Sequence, residues 1–239
     1  MLVNLKAMPS ASFAIAPQVS DSDLEKLSSD NPEAKFETDS KGHLIIMSPQ
    51  NGRSDRRLAT TGDANASRGS NSGKFNLTLA AQIWLWNSQT NLGVTFDSST
   101  GFKLSNNAVR SPDVTWIRLE RWNELTPQQQ DKYAPQRERA DRRLRRLTNQ
   151  RFVHPDFVIE LKSLTDDWQE LQAKMIEYMD CPKGYRFAYG VKLGWLINPE
   201  DKLVEIYRQG RNKEVFNNPQ ALSGKDILPG LTVDLTEIF

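Results

Sequence analysis

The sequence predicts an α+β fold in which helices flank a mixed β-sheet. Short apolar runs rich in β-branched and aromatic residues recur along the chain, and one of them, Phe157 to Ile159, ends in Glu160-Leu161-Lys162. Residues 75–91 and 165–180 instead have apolar residues at helical spacing. Because the chain has no internal repeat and no linker, we expect one domain over residues 19–239, preceded by a flexible N-terminal arm over residues 1–18.

The composition is typical of a globular protein in aqueous solution. With 239 residues the chain is long enough for one large domain or for two small ones. Hydrophobic residues make up 38% and charged residues 26% of the chain, and no apolar run is long enough to cross a bilayer. The net charge is +1, so any binding of nucleic acid must come from local patches rather than from the overall field.

Cysteine and histidine are scarce, which restricts the chemistry. Cys181 is the only cysteine, so an internal disulfide and a cysteine-rich zinc site are excluded. A single cysteine and the absence of signal-peptide features in residues 1–18 favour a cytoplasmic protein. His43 and His154 are the only histidines, which disfavours histidine-dominated metal sites and histidine-based nuclease motifs.

A short helix and a β-hairpin are predicted first. Ser20-Asp21-Ser22-Asp23 is typical of a helix start, and the helix should end before Asn31-Pro32. Residues 34–38 and 43–47 flank a glycine-containing turn and predict two paired strands. Glu37 lies in the first of these strands, where it is either a solvent-facing residue or a further acid of a site.

The next region predicts a long helix. Residues 50–74 are polar and glycine-rich, which indicates a weak helix, a mobile loop or both. Residues 75–91 predict a largely buried helix with apolar residues at helical spacing: Leu79, Ile83 and Trp86, with Leu77, Ala80, Trp84 and Leu85 broadening the face. We interpret the Trp84-Leu85-Trp86 cluster as core rather than as a base-stacking platform.

The middle of the chain predicts strands and places an acid at the start of one. Residues 93–97 and 102–104 predict two strands joined by a turn. A further strand over residues 110–117 is entered through Pro112, which suits the first residue or the edge of a strand. Asp113 follows directly, so its carboxylate is either capped by solvent or a ligand.

A charged and arginine-rich segment follows. Residues 118–150 are predicted to be helical. Residues 137–151 contain seven arginines and only two acids, Glu138 and Asp141. The segment predicts a phosphate-binding helix or, with equal weight, a solvated charged helix. The candidate nucleic-acid contacts are Arg142, Arg143, Arg145 and Arg146. Residues 181–190 mix basic and aromatic side chains, and for them we favour a connecting loop over a nucleic-acid contact.

The strand that ends in Glu160-Leu161-Lys162 carries the strongest functional hypothesis. Successive strand residues alternate between the two faces, so Glu160 and Lys162 should point to the same side. Two charges at the end of a buried strand are costly to desolvate unless a ligand is bound, but they could also meet water or form a partly buried ion pair. In the following helix, Lys174 and Tyr178 are four residues apart and therefore adjacent.

Asp113 and Glu160 together suggest a reaction. Two carboxylates on neighbouring strands would form a hard oxygen site suited to Mg²⁺ or Mn²⁺. Such a metal orients a water molecule, lowers its pKa and neutralises charge on a phosphate. Lys162 beside it would stabilise the negative charge that develops. This set hydrolyses phosphodiester bonds without histidine or cysteine.

The arrangement resembles the PD-(D/E)xK nuclease superfamily, with Pro112-Asp113 and Glu160-Leu161-Lys162 in the places of its motif. A longer ordered series of motifs is similar to the Uma2 family of restriction-endonuclease-like proteins. The series consists of Phe36-Glu37, Ser111 to Val114, Pro155 to Glu160, Leu171 with Lys174 and Tyr178, Gly194 to Pro199, Val204 to Tyr207, and Leu228 to Leu231.

This resemblance implies a restriction-endonuclease-like core and a metal site made of Asp113 and Glu160. It implies Lys162 as the catalytic lysine, with Glu37, Lys174 and Tyr178 as second-rank site residues. The substrate would be DNA, and cutting of both strands would favour a homodimer. The alternative is a catalytically inactive nucleic-acid-binding protein that keeps the nuclease fold and binds through the arginine-rich segment.

Overall fold

The computed structural model describes residues 13–31, 35–47, 64–104, 106–127, 130, 154–180 and 190–239. The helices are α1 (Asp21–Asp30), α2 (Ala64–Thr90), α3 (Leu119–Asn123) and α4 (Trp168–Met179). The strands are β1 (Phe13–Gln18), β2 (Lys35–Thr38), β3 (His43–Met47), β4 (Gly93–Asp97), β5 (Phe102–Lys103), β6 (Val109–Arg110), β7 (Val114–Arg118), β8 (Phe157–Leu161), β9 (Leu193–Asn198), β10 (Leu203–Arg208), β11 (Glu214–Asn217), β12 (Ala221–Ser223) and β13 (Thr232–Asp234).

Six strands form a mixed central sheet in the order β11-β10-β9-β8-β7-β4. Strands β8 and β9 are parallel, with Phe157 opposite Leu193, and the other neighbours are antiparallel. The parallel pair needs a crossover, and α4 lies in the connection between its two strands. The predicted α+β fold with a mixed sheet and flanking helices is confirmed.

Alternation along β8 sends its side chains into two separate cores. Phe157 and Ile159 pack with the inward face of α2, which consists of Leu79, Ile83 and Trp86. Val158, between them, packs on the other face with Met175 and Tyr178 of α4. Every residue of β8 is buried, so the even-numbered Glu160 is held beneath α4 rather than in solvent.

A second sheet contains Glu37, a further buried acid, in its strand β2. Its order is β1-β3-β2-β6-β5, and all its pairs are antiparallel. It connects to the central sheet through the short segment between β6 and β7, which contains Ser111, Pro112 and Asp113. A small third sheet pairs β12 with β13 near the C-terminus.

Two expectations differ from the structure. Within the predicted N-terminal arm, Phe13–Gln18 form β1 and pair with β3, because β3 would otherwise be an open edge. Within α2, the predicted core residues Leu77, Trp84 and Leu85 are 71%, 62% and 53% exposed. Their prediction as core was wrong because the sheet covers only one side of the helix.

Other predictions lie outside the described residues: the arginine-rich segment 137–151 and residues 181–189. The part of 50–74 that the structure describes, from Ala64 onwards, belongs to α2. None of the helices in the described part of the chain combines the length and the apolar character needed to span a membrane.

Candidate active site

Asp113 and Glu160 lie next to each other at the same end of the β7–β8 pair. Val114 is opposite Ile159 in the register, which places Asp113 opposite Glu160. The backbone N–H of Asp113 donates to the carbonyl of Ile159 at 3.1 Å, and Oδ2 of Asp113 accepts from the backbone N–H of Leu161 at 2.8 Å. The Asp113 carboxylate therefore lies against the residue that follows Glu160.

The other oxygen of Asp113 is held from helix α2. Nδ2 of Asn76 donates to Oδ1 of Asp113 at 3.0 Å. Both partners of this carboxylate are thus neutral amides, and among the described residues no lysine or arginine forms an ion pair with it. Sequence reasoning missed Asn76, since its role depends on where α2 crosses the start of β7.

Glu160 is 4% exposed and is held by two side chains of α4. The hydroxyl of Tyr178 donates to Oε1 of Glu160 at 2.7 Å, and Nζ of Lys174 lies 2.9 Å from the same oxygen. Lys174 and Tyr178 are one helical turn apart, so both reach the same strand residue, as their spacing predicted.

Glu37 reaches the same lysine from the second sheet. Oε1 of Glu37 is 3.1 Å from Nζ of Lys174 and accepts from the backbone N–H of Ser111 at 2.9 Å. Oε2 of Glu37 pairs with Nη1 of Arg110 at 3.1 Å, and Arg110 also pairs with Glu177 at 2.5 Å. The ammonium of Lys174 thus bridges the two buried carboxylates, and we call Glu37, Asp113, Glu160 and Lys174 the acid cluster.

The two glutamates of the acid cluster titrate in opposite directions. Burial raises the pKa of Glu160 to about 7, and the nearby charges of Asp113 and Glu37 act in the same direction, while Lys174 and the Tyr178 hydroxyl only partly offset them. Burial would also raise the pKa of Glu37, but the charges of Lys174 and Arg110 outweigh it and hold that pKa at about 2. Glu37 is the fixed anion of the cluster.

The two α4 side chains respond to these carboxylates. Burial alone would lower the pKa of Lys174, but Glu160 and Glu37 outweigh it and raise that pKa, so the amine stays an ammonium ion. Burial, followed by the charge of Glu160, raises the pKa of Tyr178 well above its usual range. The tyrosine therefore remains a hydrogen-bond donor to Glu160.

Lys162 has different partners. Its Nζ lies 3.1 Å from Oε2 of Glu200 and 3.1 Å from the carbonyl oxygen of Ser163, and its side chain is 13% exposed. Strand β8 ends at Leu161, but the backbone N–H of Lys162 still donates to the carbonyl of Ile197 in β9 at 2.8 Å. The structure brings together Asp113, Glu160, Glu37, Lys174 and Tyr178, and it places the Lys162 ammonium on Glu200.

Glu205 is a further buried acid, two strands away from Glu160 across the central sheet. Leu196 lies opposite Glu160 on one side and opposite Glu205 on the other. Glu205 is 3% exposed, accepts from Nε2 of Gln172 at 2.8 Å and pairs with Nζ of Lys213 at 2.7 Å. Sequence reasoning gave Glu205 no role, because a charged residue inside a strand motif carries no separate indication of its partners.

The donor chemistry of the acid cluster fits a hard divalent cation. The described part of the chain has no group of three or more His, Cys, Asp or Glu side chains in metal-binding geometry. Asp113 and Glu160 nevertheless supply two carboxylates on adjoining strands, one without a cationic partner among the described residues and one whose ionisation is opposed by its acidic neighbours. A magnesium ion commonly takes one or two carboxylates and keeps water in its other positions.

The mixed sheet with acids on two adjoining strands and a flanking helix agrees with the restriction-endonuclease-like fold that the sequence predicts. The chain belongs to the Uma2 family, whose model, described as "Putative restriction endonuclease", matches residues 62–236. A crystal structure described as "a putative nuclease belonging to DUF820", from Anabaena variabilis, has a similar fold. Its TM-score is 0.53 at 16% sequence identity, and the similarity covers 86% of this chain and 89% of that chain. No curated protein matches the sequence.

Proposed function

We propose that this protein is a divalent-metal-dependent DNA endonuclease that hydrolyses phosphodiester bonds at a PD-(D/E)xK-type site. One observation carries the proposal: the Asp113 carboxylate accepts from the backbone N–H of Leu161 at 2.8 Å, and Leu161 directly follows the buried Glu160, which is opposite Asp113 in the register. Membership of the Uma2 family supports a nuclease function, and the fold is shared with a protein described as a nuclease.

Asp113 and Glu160 are the residues that would hold Mg²⁺ or Mn²⁺. When bound, such an ion acts as a Lewis acid that lowers the pKa of a water molecule and neutralises charge on the phosphate. Asp113 is oriented for this role by Asn76 and the Leu161 amide, and Glu160 by Tyr178. These hydrogen bonds fix both carboxylates before substrate arrives, so little reorganisation accompanies binding.

Lys174 is our first candidate for the lysine of this site. Its ammonium is already within 3.1 Å of both Glu160 and Glu37, and its side chain is only 12% exposed. From there it can donate a hydrogen bond to a phosphate oxygen and stabilise charge in the transition state. Lys162 is the second candidate and would first have to leave Glu200. Glu37 would keep Lys174 charged and in place.

The proposed partner is DNA, and a homodimer would provide one site for each strand of a duplex. A cytoplasmic location suits a DNA substrate and the single cysteine. Because Glu37 comes from one sheet and Glu160 from the other, and Lys174 contacts both, we also propose that residues 19–239 act as one domain.

Plasmid cleavage tests the proposal and separates the two lysines. The wild type should nick or linearise supercoiled DNA with Mg²⁺ or Mn²⁺ and not with EDTA. Asp113→Asn and Glu160→Gln should each lower the rate by roughly 100-fold or more, while the control Glu124→Gln, at an exposed acid that contacts no candidate site residue, should stay near the wild type. Lys174→Met should behave like the acid variants, and Lys162→Met should cost less. Equal cutting by wild type and both acid variants would remove Asp113 and Glu160 from the reaction.

The second candidate is a DNA-binding protein that does not cut. One observation favours it: the Lys174 ammonium occupies the space between Glu37 and Glu160, and the Lys162 ammonium is engaged by Glu200. This candidate requires salt-sensitive DNA retention without cleavage at any metal concentration. Neutralising Arg142, Arg143, Arg145 and Arg146 should then weaken retention, and unchanged retention would exclude those arginines as the contacts.

A further inference from the structure

Helix α2 presents an apolar stripe to solvent on the side opposite the sheet. Leu77, Trp84 and Leu85 are 71%, 62% and 53% exposed, and Ala81 between them is also exposed. These residues follow the spacing i, i+4, i+7 and i+8, so they share one face of the helix. We call them the α2 stripe.

The α2 stripe has no charged residue beside it along the helix. From Phe75 to Thr90, a length of about 24 Å at 1.5 Å per residue, α2 contains no Asp, Glu, Lys or Arg. The solvent face of a surface helix normally carries charged and polar residues. Depletion of charge with enrichment of Trp and other large apolar residues is instead typical of the core of a protein–protein interface.

A shallow groove of about 490 Å³, widely open to solvent, lies along the same part of the helix. Its lining includes Leu77, Thr78, Ala81 and Gln82 of α2, together with Asp234 and Glu237 from the C-terminal segment. Two hydrogen bonds join the C-terminal segment to α2 at this groove. The side chain of Gln82 donates to the carbonyl of Asp234 at 3.0 Å and accepts from the backbone N–H of Asp234 at 2.8 Å. The α2 stripe thus carries a projecting side chain, Trp84, and borders this shallow groove through Leu77 and Ala81.

We propose that a second copy of this chain covers the α2 stripe, with the two α2 helices packed antiparallel about a two-fold axis near Ala81. In such a dimer both copies use the same surface patch. A side chain that projects from the patch of one copy must therefore fit into a groove in the same patch of the other copy. Trp84 lies three residues C-terminal to Ala81, and Thr78 lies three residues N-terminal to it. The two-fold operation therefore sets each Trp84 against the partner's groove, and the small Ala81 lets the two helices approach closely.

The area of the stripe agrees with a dimer of ordinary size. Its three large side chains expose roughly 400 Å² of mostly apolar surface, estimated from their exposed fractions and the areas usual for Leu and Trp. A standard interface buries about 800 Å² per partner, of which the apolar core is a part. The helix side of this face carries no charge, so the two α2 helices do not repel each other, and at the groove wall Glu237 is paired with Lys74 at 3.7 Å, which leaves Asp234 as the acid without an ion pair among the described contacts.

Sedimentation equilibrium of the full chain without DNA tests the dimer independently of any nuclease activity. We expect a mass near twice the 27.2 kDa of one chain at micromolar concentration. Trp84→Glu should raise the dimer dissociation constant by roughly 100-fold or more. Ile176→Glu is the matched control, because Ile176 is 63% exposed on helix α4 and off the stripe, and it should stay dimeric. Circular dichroism verifies that each variant is folded.

Cysteine cross-linking gives a second measurement that does not depend on destabilising the interface. In a Cys181→Ser background, Ala81→Cys should form a disulfide-linked dimer under mild oxidation, whereas Ser88→Cys, nearly two turns further along, should cross-link at least tenfold less. A monomer at all concentrations, as expected if another part of the chain covers the stripe, would overturn the proposal. A dimer that persists in Trp84→Glu, or equal cross-linking at both positions, would place the interface elsewhere.

Discussion

Replacing Glu160 by Gln tests the electrostatics of the acid cluster without changing its shape. Glutamine keeps an oxygen that accepts from Tyr178 and Lys174, but it cannot ionise. Glu160 has a folded-state pKa of about 7 against an ordinary value of 4.5, because it is buried beside other acids. The folded chain therefore keeps a proton that the unfolded chain releases, and the stability this proton provides is complete below pH 4.5 and is lost as the pH rises through 7.

The magnitude follows from those two pKa values. At about 1.36 kcal/mol for each pH unit between 4.5 and 7, full ionisation of Glu160 costs the folded state about 3 kcal/mol. His154 acts in the opposite direction, because burial lowers its pKa from 6.5 to about 4 and its contribution to stability is lost as the pH falls through that range. In the wild type, the pH dependence of the unfolding free energy therefore combines two opposed contributions, from Glu160 and from His154. The difference between wild type and Glu160→Gln isolates the contribution of Glu160.

Urea unfolding followed by tryptophan fluorescence at pH 5, 6, 7 and 8 measures this difference. Relative to the wild type, Glu160→Gln should gain about 2 to 3 kcal/mol of unfolding free energy between pH 5 and pH 8. Glu200→Gln is the control, since Glu200 is 54% exposed and its variant should run parallel to the wild type. A Glu160→Gln difference that stays constant within about 0.5 kcal/mol would show that Glu160 has an ordinary pKa, and the electrostatic argument would fail.

Further predictions concern packing and pairing. Lys174→Met should destabilise the protein by about 3 to 5 kcal/mol at pH 8 in urea unfolding, because two buried carboxylates lose their shared cation; a cost no larger than that of Lys162→Met would contradict the bridge. Gly93→Ala should lower the unfolding free energy by about 3 kcal/mol, since its Cβ would lie 2.3 Å from the backbone oxygen of Ile117. A Cβ at Gly73 would have no atom within 4 Å, so Gly73→Ala should instead stabilise helix α2 by about 0.5 to 1 kcal/mol. A lower unfolding free energy in Gly73→Ala would show that this position is not open.

Sequence patterns predicted elements such as α1 and β8 because each of them has a strong local cause. Helix α1 begins where Ser20 caps it, with both hydrogen bonds of a capping box, and ends before Asn31. Strand β8 follows from its unbroken apolar run, and the pairing of β7 with β8 then places Asp113 beside Glu160. A pair of acids that depends only on strand register could therefore be anticipated from sequence.

Contacts between elements could not be predicted in the same way. Asn76 and Arg110 have no local indication of their partners, which are decided by how α2 and the second sheet meet the central sheet. The Lys162 ammonium pairs with Glu200, which follows β9, and no local pattern in the sequence indicates that partner. Trp84 and Leu85 satisfy a helical pattern, but the pattern does not reveal how wide a face the sheet will cover.

The central claim is that Asp113 and Glu160 hold one divalent cation, and crystals soaked in Mn²⁺ test it most directly through anomalous scattering. We expect a single strong peak within about 2 to 2.5 Å of a carboxylate oxygen of each residue, absent from crystals of Glu160→Gln soaked in the same way. A peak held by other residues, or no peak at this pair at millimolar Mn²⁺, would contradict the claim.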